Sequence, residues 1–187
     1  MLNRWHVNNA AQILHEGGVI AYPTETVYGL GADPHNLDAV SQLLKIKQRP
    51  WQKGLILIAS NVKQLAPYII PTESKRMDEI LASWPGPYTW VFDATENVPL
   101  WVRGQHRSIA VRVTPHPIAN ALCEAFGGPI ISTSANPSGF RATQQRILIE
   151  KWFHHQLDYI LPGDPGPYTK PSEIRNAQSG KLLRGAN

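Results

Sequence analysis

The sequence is poor in the residues that several classes of protein require. It contains one cysteine, Cys123, which excludes an intrachain disulfide and leaves no cysteine pair for a zinc site. No apolar run approaches the ~18 residues that a membrane-spanning helix needs. The first residues also lack the basic and apolar regions of a signal peptide. These absences predict a cytoplasmic protein that has no membrane partner.

The common nucleotide-binding and nucleophile motifs are missing as well. The chain has no Gly-x-x-x-x-Gly-Lys-Ser/Thr loop, no Gly-x-Gly-x-x-Gly and no Gly-x-Ser-x-Gly elbow, so Ser134 is not expected to be an activated nucleophile. The seven histidines do not form a metal-ligand pattern. His116, which lies between two prolines, is expected to be a loop or helix-cap residue. The sequence therefore predicts neither covalent catalysis nor a metal held by protein side chains.

Acidic residues are scarce in two long stretches of the chain. There is none between Asp38 and Glu73, and Glu124 is the only one between residues 97 and 149. The cations of these stretches include Lys45, Lys47, Arg49, Lys53, Lys63, Arg103, Arg107, Arg112, Arg141 and Arg146. Such a distribution favours an anionic ligand, namely a nucleotide, phosphate or nucleic acid. A solvated basic face is the alternative.

Length and periodicity predict one α/β domain over residues 1–187. A hydrophobic content of 42% is enough for a packed core. Apolar spacing and turn signals predict helices over residues 8–16, 72–84, 114–126 and 143–153, and a further helix from residue 37 that ends at Arg49-Pro50. Strands are predicted at 19–22, 55–58, 88–92, 108–113, 129–131 and 159–161, and a hairpin at 172–184. This alternation predicts a three-layer architecture, with a mixed parallel and antiparallel sheet flanked by helices.

Two apolar strands are followed directly by polar segments. Residues 129–131 lead into Ser-Thr-Ser-Ala-Asn-Pro-Ser-Gly at 132–139, and residues 19–21 lead into a Tyr-Pro-Thr-Glu-Thr segment at 22–26. Each pattern is typical of a buried strand that enters a loop at its carboxyl end, where open α/β sheets bind ligands. Plain turns are the alternative for either segment alone. Together the two segments predict one shared site.

The cations and hydroxyls near these segments indicate what the site can do. Lys47 and Arg49 place two cations within one turn, where they can meet neighbouring phosphate oxygens. Ser134 and Asn136 lie two residues apart in an extended segment and so face the same side. Arg112, at the end of a strand, is expected either to pair with a buried acid or to bind a ligand carboxylate. The predicted chemistry is charge neutralisation and positioning.

Four motifs together resemble the YrdC/TsaC family, whose members are threonylcarbamoyl-adenylate synthases. They are Pro-Thr-Glu-Thr-Val-Tyr-Gly-Leu-Gly at 23–31, Lys-Gln-Arg-Pro at 47–50, Ser-Ile-Ala-Val-Arg at 108–112 and the segment at 132–139. The similarity runs from about residue 11 to residue 184. It implies a short single-domain form with a YrdC-like fold and a large basic concave cleft.

The resemblance implies a nucleotidyltransferase that joins L-threonine, bicarbonate and ATP into L-threonylcarbamoyladenylate and pyrophosphate. This reaction begins threonylcarbamoyladenosine formation in tRNA, and the product passes to a threonylcarbamoyl transferase. The implied catalytic residues are Lys47, Arg49, Ser134 and Asn136. The implied ATP contacts add Lys53, Ser108 and Arg184, and the implied threonine pocket comprises Thr26, Arg112, Ser132 and Ser172. Mg²⁺ is expected on the phosphates of ATP and not on protein ligands.

Some features depart from the family pattern or leave alternatives open. Longer relatives carry a histidine where Ile58 stands, and the family usually has an aspartate where Asn176 stands. Whether tRNA binds directly stays open. A non-enzymatic RNA-binding module is the alternative function, although Trp51 and Trp101 are isolated in the sequence and no RNA motif is present. A carbamoyl-transfer module is a third interpretation. The loop at 162–170 is expected to close the site.

Overall fold

The computed structural model describes residues 3–168 and 171–185, in which seven helices alternate with ten strands. The helices are α1 (Arg4–His15), α2 (Leu37–Lys47), α3 (Val62–Leu65), α4 (Ser74–Ala82), α5 (Leu100–Arg103), α6 (Pro117–Phe126) and α7 (Arg146–Trp152), with one 3-10 turn at Trp51–Lys53. The strands are β1 (Ile20–Pro23), β2 (Tyr28–Gly31), β3 (Ile56–Ala59), β4 (Ile69–Ile70), β5 (Tyr88–Ala94), β6 (Ser108–Val113), β7 (Ile130–Ser134), β8 (Tyr159–Ile160), β9 (Glu173–Asn176) and β10 (Leu182–Arg184). Among these residues, no helix combines the length and apolar character that crossing a membrane requires.

The strands form one mixed sheet. Its order is β10-β9-β5-β6-β3-β7-β2-β1-β8, and β4 pairs with β5 beside this path. The pairs β3–β6, β5–β9 and β1–β8 are parallel. The pairs β1–β2, β2–β7, β3–β7 and β5–β6 are antiparallel. The carboxyl ends of β1 and β7 therefore lie at the same edge of the sheet, as the shared site requires.

Helices cover both faces of this sheet. Successive residues of a strand point to opposite faces, so Ile58 and Leu57 enter different layers. Ile58 is buried with Leu14 of α1 and Leu122 of α6, whereas Leu57 is buried with Leu43 of α2. The predicted three-layer α/β fold with a mixed sheet is confirmed.

The face that α1 and α6 cover also carries polar side chains. Arg112 lies beside Ile58 in the strand register, and Ser132 lies beside Ile56. Paired residues point to the same face of a sheet, so Arg112 and Ser132 share the face of Ile58. Ser134, two residues further along β7, is exposed on that face.

Side chains from distant strands meet across this face. The turn between β1 and β2 carries Glu25, whose carboxylate lies 3.0 Å from the guanidinium of Arg112 on β6. In the sheet order, β7 and β3 lie between β2, where this turn ends, and β6. Three to four strand spacings amount to ~14–19 Å in a flat sheet, and the long side chains of Glu25 and Arg112 cross this distance over the polar face. The contact therefore encloses one end of the polar face, which is called the concave face from here on.

The strand predicted at 19–22 is present as β1, but the polar segment after it is not only a loop, because β2 at 28–31 was not predicted. The segment is a hairpin of β1 and β2, in which the Thr24 hydroxyl donates to the Val27 carbonyl at 2.7 Å. Its glycines lie in β2 because the ring of Tyr22 packs against them. A Cβ on Gly31 would lie 2.8 Å from that ring. Glycine here makes room for an aromatic side chain and does not mark a turn.

Candidate active site

Lys47 and Arg49 lie where α2 ends and the chain reverses. Gln48 adopts the left-handed conformation, with φ of 48°, and caps the helix. Pro50 then prevents the helix from continuing. Lys47 is buried with 8% of its surface exposed, while Arg49 is half-buried.

Lys47 contacts the loop that follows β7. Its Nζ donates to the carbonyl oxygens of Ser134 at 2.7 Å and Asn136 at 2.5 Å, and to Asn136 Oδ1 at 3.0 Å. The Ser134 hydroxyl donates to the same Asn136 Oδ1 at 2.6 Å. The amide nitrogen of Asn136 donates to the Phe140 carbonyl at 2.6 Å, which fixes the side chain. The structure thus brings together the two predicted pairs, 87 and 89 residues apart in the chain.

All three protons of the Lys47 ammonium have acceptors in this arrangement. Burial, followed by the positive charge of Arg49, lowers the pKa of Lys47 to about 8. Three carbonyl-type acceptors do not neutralise that charge, so an incoming phosphate would gain a full ionic contact. Lys47 therefore both orders the loop and offers its charge to an anion.

Two glycines hold the carbonyl that orients Arg49. The Nε and Nη2 atoms of Arg49 donate to the Gly54 carbonyl at 3.2 and 2.8 Å. Gly54 and Gly104 have φ of 65° and 67°, and a Cβ on Gly104 would lie 2.4 Å from the Gln52 carbonyl oxygen and 2.7 Å from the Gly54 nitrogen. This close backbone approach is possible only without a side chain. Arg49 therefore points along one direction set by backbone packing.

Arg112 has a buried acidic partner. Its Nε lies 3.0 Å from Oε1 of Glu25, and the two side chains are 8% and 2% exposed. The other carboxylate oxygen, Oε2, accepts a hydrogen bond from the Thr114 hydroxyl at 3.0 Å. Of the two expectations for Arg112, pairing with a buried acid is observed. The guanidinium keeps its Nη atoms for a ligand, since they donate no hydrogen bond within the described residues.

The remaining predicted threonine-pocket residues lie around this ion pair. Thr26 belongs to the same buried turn as Glu25, and Gln144 fixes its carbonyl at 2.7 Å. Ser172 is buried with its hydroxyl 3.0 Å from that of Thr89 on β5, next to β6. Ser132 shares the concave face with Arg112, as described above. The four predicted positions therefore converge on one surface.

The outer predicted ATP contacts differ in how closely they join the site. Arg184 donates to the Ser172 carbonyl at 3.1 Å. Burial lowers the pKa of Arg184, and the charges of Arg112 and Arg49 lower it further, which places three guanidiniums in one field. Ser108 begins β6 opposite Asp93. Lys53 is exposed in the turn whose carbonyl holds Arg49.

Sequence reasoning missed Glu25 and Thr114 as site residues. Glu25 lies inside the motif at 23–31, but nothing in the local pattern connects it with β6. His116 was predicted as a cap residue, and this is confirmed. Its Nδ1 accepts from the Ala119 amide at the start of α6, while its Nε2 lies 3.1 Å from the Asp164 carbonyl. Nε2 therefore carries the proton of the neutral ring.

The segment after β8 lies over the turn that carries Glu25. Gly166 donates its amide to the Thr24 carbonyl at 2.8 Å, and the Tyr168 amide donates to the Glu25 carbonyl at 3.2 Å. A Cβ on Gly166 would lie 2.7 Å from that Glu25 oxygen. The loop expected to close the site, residues 162–170, therefore packs on the turn that carries Glu25, through contacts that extend to residue 168. Residues 169 and 170 lie outside the described part.

A groove of about 480 Å³ runs between α2 and the turn after it. It is lined by Leu37, Ser41, Leu44, Lys45, Gln48, Arg49, Pro50, Trp51 and Trp101. Trp51 and Trp101, isolated in the sequence, thus share one surface next to Arg49. No group of three or more histidine, cysteine or acidic side chains forms a metal cluster within residues 3–168 and 171–185.

Known proteins are similar to this chain in sequence and fold over nearly its whole length. The family model Sua5_yciO_yrdC, described as telomere recombination, matches residues 12–186. The threonylcarbamoyl-AMP synthase of Coxiella burnetii is 49% identical over 178 residues, covering 95% of this chain and 96% of that protein. The protein of the same name from Pseudomonas aeruginosa is 47% identical over 186 residues, with 100% of both chains covered.

The fold matches a solved structure of Sua5. Sua5 of P. abyssi complexed with L-threonine superposes with a TM-score of 0.87 at 32% identity. The match covers 94% of this chain and 52% of the Sua5 chain, so this chain spans about half of that protein's length. The sequence-based resemblance is confirmed. The chain belongs to the Sua5/YciO/YrdC family.

Proposed function

We propose that the protein is a threonylcarbamoyl-AMP synthase, which joins L-threonine, bicarbonate and ATP into L-threonylcarbamoyladenylate and pyrophosphate. The observation that carries the proposal is the contact of Lys47 with Ser134 and Asn136 beside Arg49, in a chain 49% identical to a protein of that name. The product would start threonylcarbamoyladenosine formation in tRNA and pass to a transferase. Because tRNA is modified in the cytoplasm, we place the activity there.

The phosphate end of the site would hold ATP. Lys47, Arg49 and Arg184 supply charge, and Ser134 and Asn136 position the loop against which the α-phosphate lies. Lys53 and Ser108 are proposed as outer contacts. A carbamate oxygen attacks the α-phosphorus, the bond from that phosphorus to the bridging oxygen breaks, and pyrophosphate leaves with the electron pair. Holding the reactants in line removes about 7–11 kcal/mol of the barrier at best, and the cations offset the charge on the leaving group.

The other end of the concave face would hold threonine. The Nη atoms of Arg112 suit its carboxylate, and Thr26, Ser132 and Ser172 surround the same position. The threonine amine combines with bicarbonate to give the carbamate and water. Carbamates decompose in water, so the segment docked over Glu25 would shelter this intermediate.

Mg²⁺ would arrive with ATP as part of the substrate. The carboxylate beside the site, Glu25, is already engaged by Arg112 and Thr114. Hard cations such as Mg²⁺ commonly bind phosphate oxygens and water with few protein ligands. When bound with ATP, the ion would supply positive charge and so reduce the negative charge that Lys47 and Arg49 must balance.

A pyrophosphate-release assay tests this function. Release from ATP should require both L-threonine and bicarbonate, and leaving out either should reduce it to background. Arg49→Ala should lower turnover about 100-fold, the usual cost of removing a donor to developing charge. Arg4→Ala, which changes an exposed cation in the first turn of α1, should leave turnover unchanged. Equal release without threonine would contradict the assignment.

The tryptophan groove supports direct RNA binding as a second function. Trp51 and Trp101 can stack on bases, and Lys45 and Arg49 can meet phosphates, while no acid lines the groove. We propose an unpaired segment of tRNA as the occupant. Trp51→Ala should weaken binding of a single-stranded oligoribonucleotide about 5- to 150-fold, corresponding to ~1–3 kcal/mol per stacked base. Trp5→Ala is the matched control, since Trp5 is exposed on α1, and an equal loss there would refute the proposal.

A further inference from the structure

The carboxylate of Glu25 is one of the most deeply buried charges in the described chain. Only 2% of its surface is exposed, and it lies between Arg112 and Thr114. Its Oε1 is 3.0 Å from Arg112 Nε, yet neither atom has a well-directed hydrogen bond within the described residues. The contact is therefore a charge pair, and Oε1 still has acceptor capacity.

Backbone contacts hold this carboxylate in place from two sides. The Thr24 and Glu25 carbonyls accept from the amides of Gly166 and Tyr168. Thr114 is anchored by its own amide, which donates to the Ala59 carbonyl at 3.0 Å at the end of β3. The position of Glu25 is thus set by three separate segments. A charge fixed so firmly beside Arg112 is suited to act on whatever Arg112 binds.

The pair has no net charge, and this restricts which ligands it favours. An uncompensated buried guanidinium would attract any carboxylate. With Glu25 present, a simple carboxylate gains from Arg112 but is repelled by Glu25. A zwitterionic amino acid also presents an ammonium group, which Glu25 attracts. The pair is therefore complementary to a neutral ligand that carries both charges.

We infer that Glu25 is a positioning residue that orients Arg112 and makes the pocket select a zwitterionic amino acid over the corresponding hydroxy acid that lacks the amine. This inference rests on the proposed function, because it assumes that threonine binds at Arg112. Glu25 would act on the ligand in two ways, by orienting the guanidinium of Arg112 and by its own negative charge. The Thr114 hydroxyl serves the same purpose by fixing Glu25.

Calorimetric titration of the whole protein with three ligands tests the inference. The ligands are L-threonine, 3-hydroxybutyrate, which lacks the amine, and L-threonine amide, which lacks the carboxylate. Wild-type protein should bind threonine at least tenfold more tightly than either analogue. Binding of 3-hydroxybutyrate within threefold of threonine would overturn the inference, and this measurement needs no variant.

Two variants separate charge from structure. Glu25→Gln retains the size and an oxygen for Thr114, and should weaken threonine binding at least tenfold while 3-hydroxybutyrate binds as well or better. Thr114→Val retains the charge, and should weaken both ligands by the same factor. Glu150→Gln, at an exposed ion pair of α7, is the control and should change neither. Equal weakening of both ligands by Glu25→Gln would mean a purely structural role and would overturn the inference.

The test also distinguishes this inference from the proposed function. If wild-type protein binds threonine and releases pyrophosphate but does not discriminate against 3-hydroxybutyrate, the function stands and the role of Glu25 is wrong. If pyrophosphate release does not depend on threonine, the proposed function is wrong and the inference fails with it.

Discussion

The affinity of the protein for ATP should fall about tenfold between pH 7 and pH 9. Lys47 has its pKa lowered to about 8 by burial and by Arg49. About nine-tenths of the molecules therefore carry the ammonium charge at pH 7 and about one-tenth at pH 9. If ATP binds only the charged form, this ratio corresponds to ~1.4 kcal/mol. Titration calorimetry with a non-hydrolysable ATP analogue measures the change. At pH 9, buffers of different ionisation enthalpy should reveal uptake of nearly one proton on binding.

Lys47→Arg is the matched control for this pH dependence. A guanidinium stays charged throughout the range, so the affinity of this variant should change less than twofold. Unfolding at high pH would not explain the loss of ATP affinity in the wild-type protein. The folded-state pKa of Lys47 lies below its ordinary value of 10.5, so the unfolded chain binds more protons between about pH 8 and pH 10.5. The contribution of Lys47 to the free energy of unfolding therefore rises with pH there. A tenfold loss in Lys47→Arg, or none in wild type, would refute the reasoning.

Three further predictions follow from buried groups and close contacts. Gly104→Ala should reduce the free energy of unfolding by at least ~1 kcal/mol more than Gly127→Ala, because both have positive φ but only Gly104 meets backbone atoms. Urea titrations measure this difference. In ATP titrations, only Gly104→Ala should also lower the affinity, because it would displace the carbonyl that orients Arg49. Burial lowers the pKa of His116, so the free energy of unfolding should fall as pH drops below about 6.5; His116→Asn, which keeps a cap, should fall less. Burial raises the pKa of the Cys123 thiol, so iodoacetamide should label Cys123 only after unfolding.

The long elements could be predicted because their local signals agree. The helix predicted from residue 37 to a stop at Arg49-Pro50 is present as α2, Leu37–Lys47, because apolar spacing, an early acid, late lysines and the proline all agree. The predicted hairpin at 172–184 is also present as β9 and β10. The segments α3, α5 and β4 were missed because two to four residues are too few to show a period.

The part of the site that could be predicted lies within motifs, and the part that could not lies between them. Lys47 with Arg49 and Ser134 with Asn136 are each recognisable over three residues, so only their contact had to come from the fold. Glu25 and Arg112 are 87 residues apart and belong to parts of the sheet that are not neighbours in the strand order. A count of acidic residues along 97–149 could not find Glu25, because the partner of Arg112 comes from a strand pair that is distant in the sequence.

This difference divides the concave face into two electrostatic halves. Within residues 3–168 and 171–185, neither Lys47 nor Arg49 has a carboxylate within 4.0 Å, whereas Arg112 has Glu25. The half around Lys47 is therefore left positive, and in the other half the charge of Arg112 is balanced by Glu25. A polyphosphate requires the first and a zwitterionic amino acid the second. Charge would thus favour ATP in the half around Lys47 and threonine in the half around Arg112. The carbamate oxygen would meet the α-phosphorus where the two halves join.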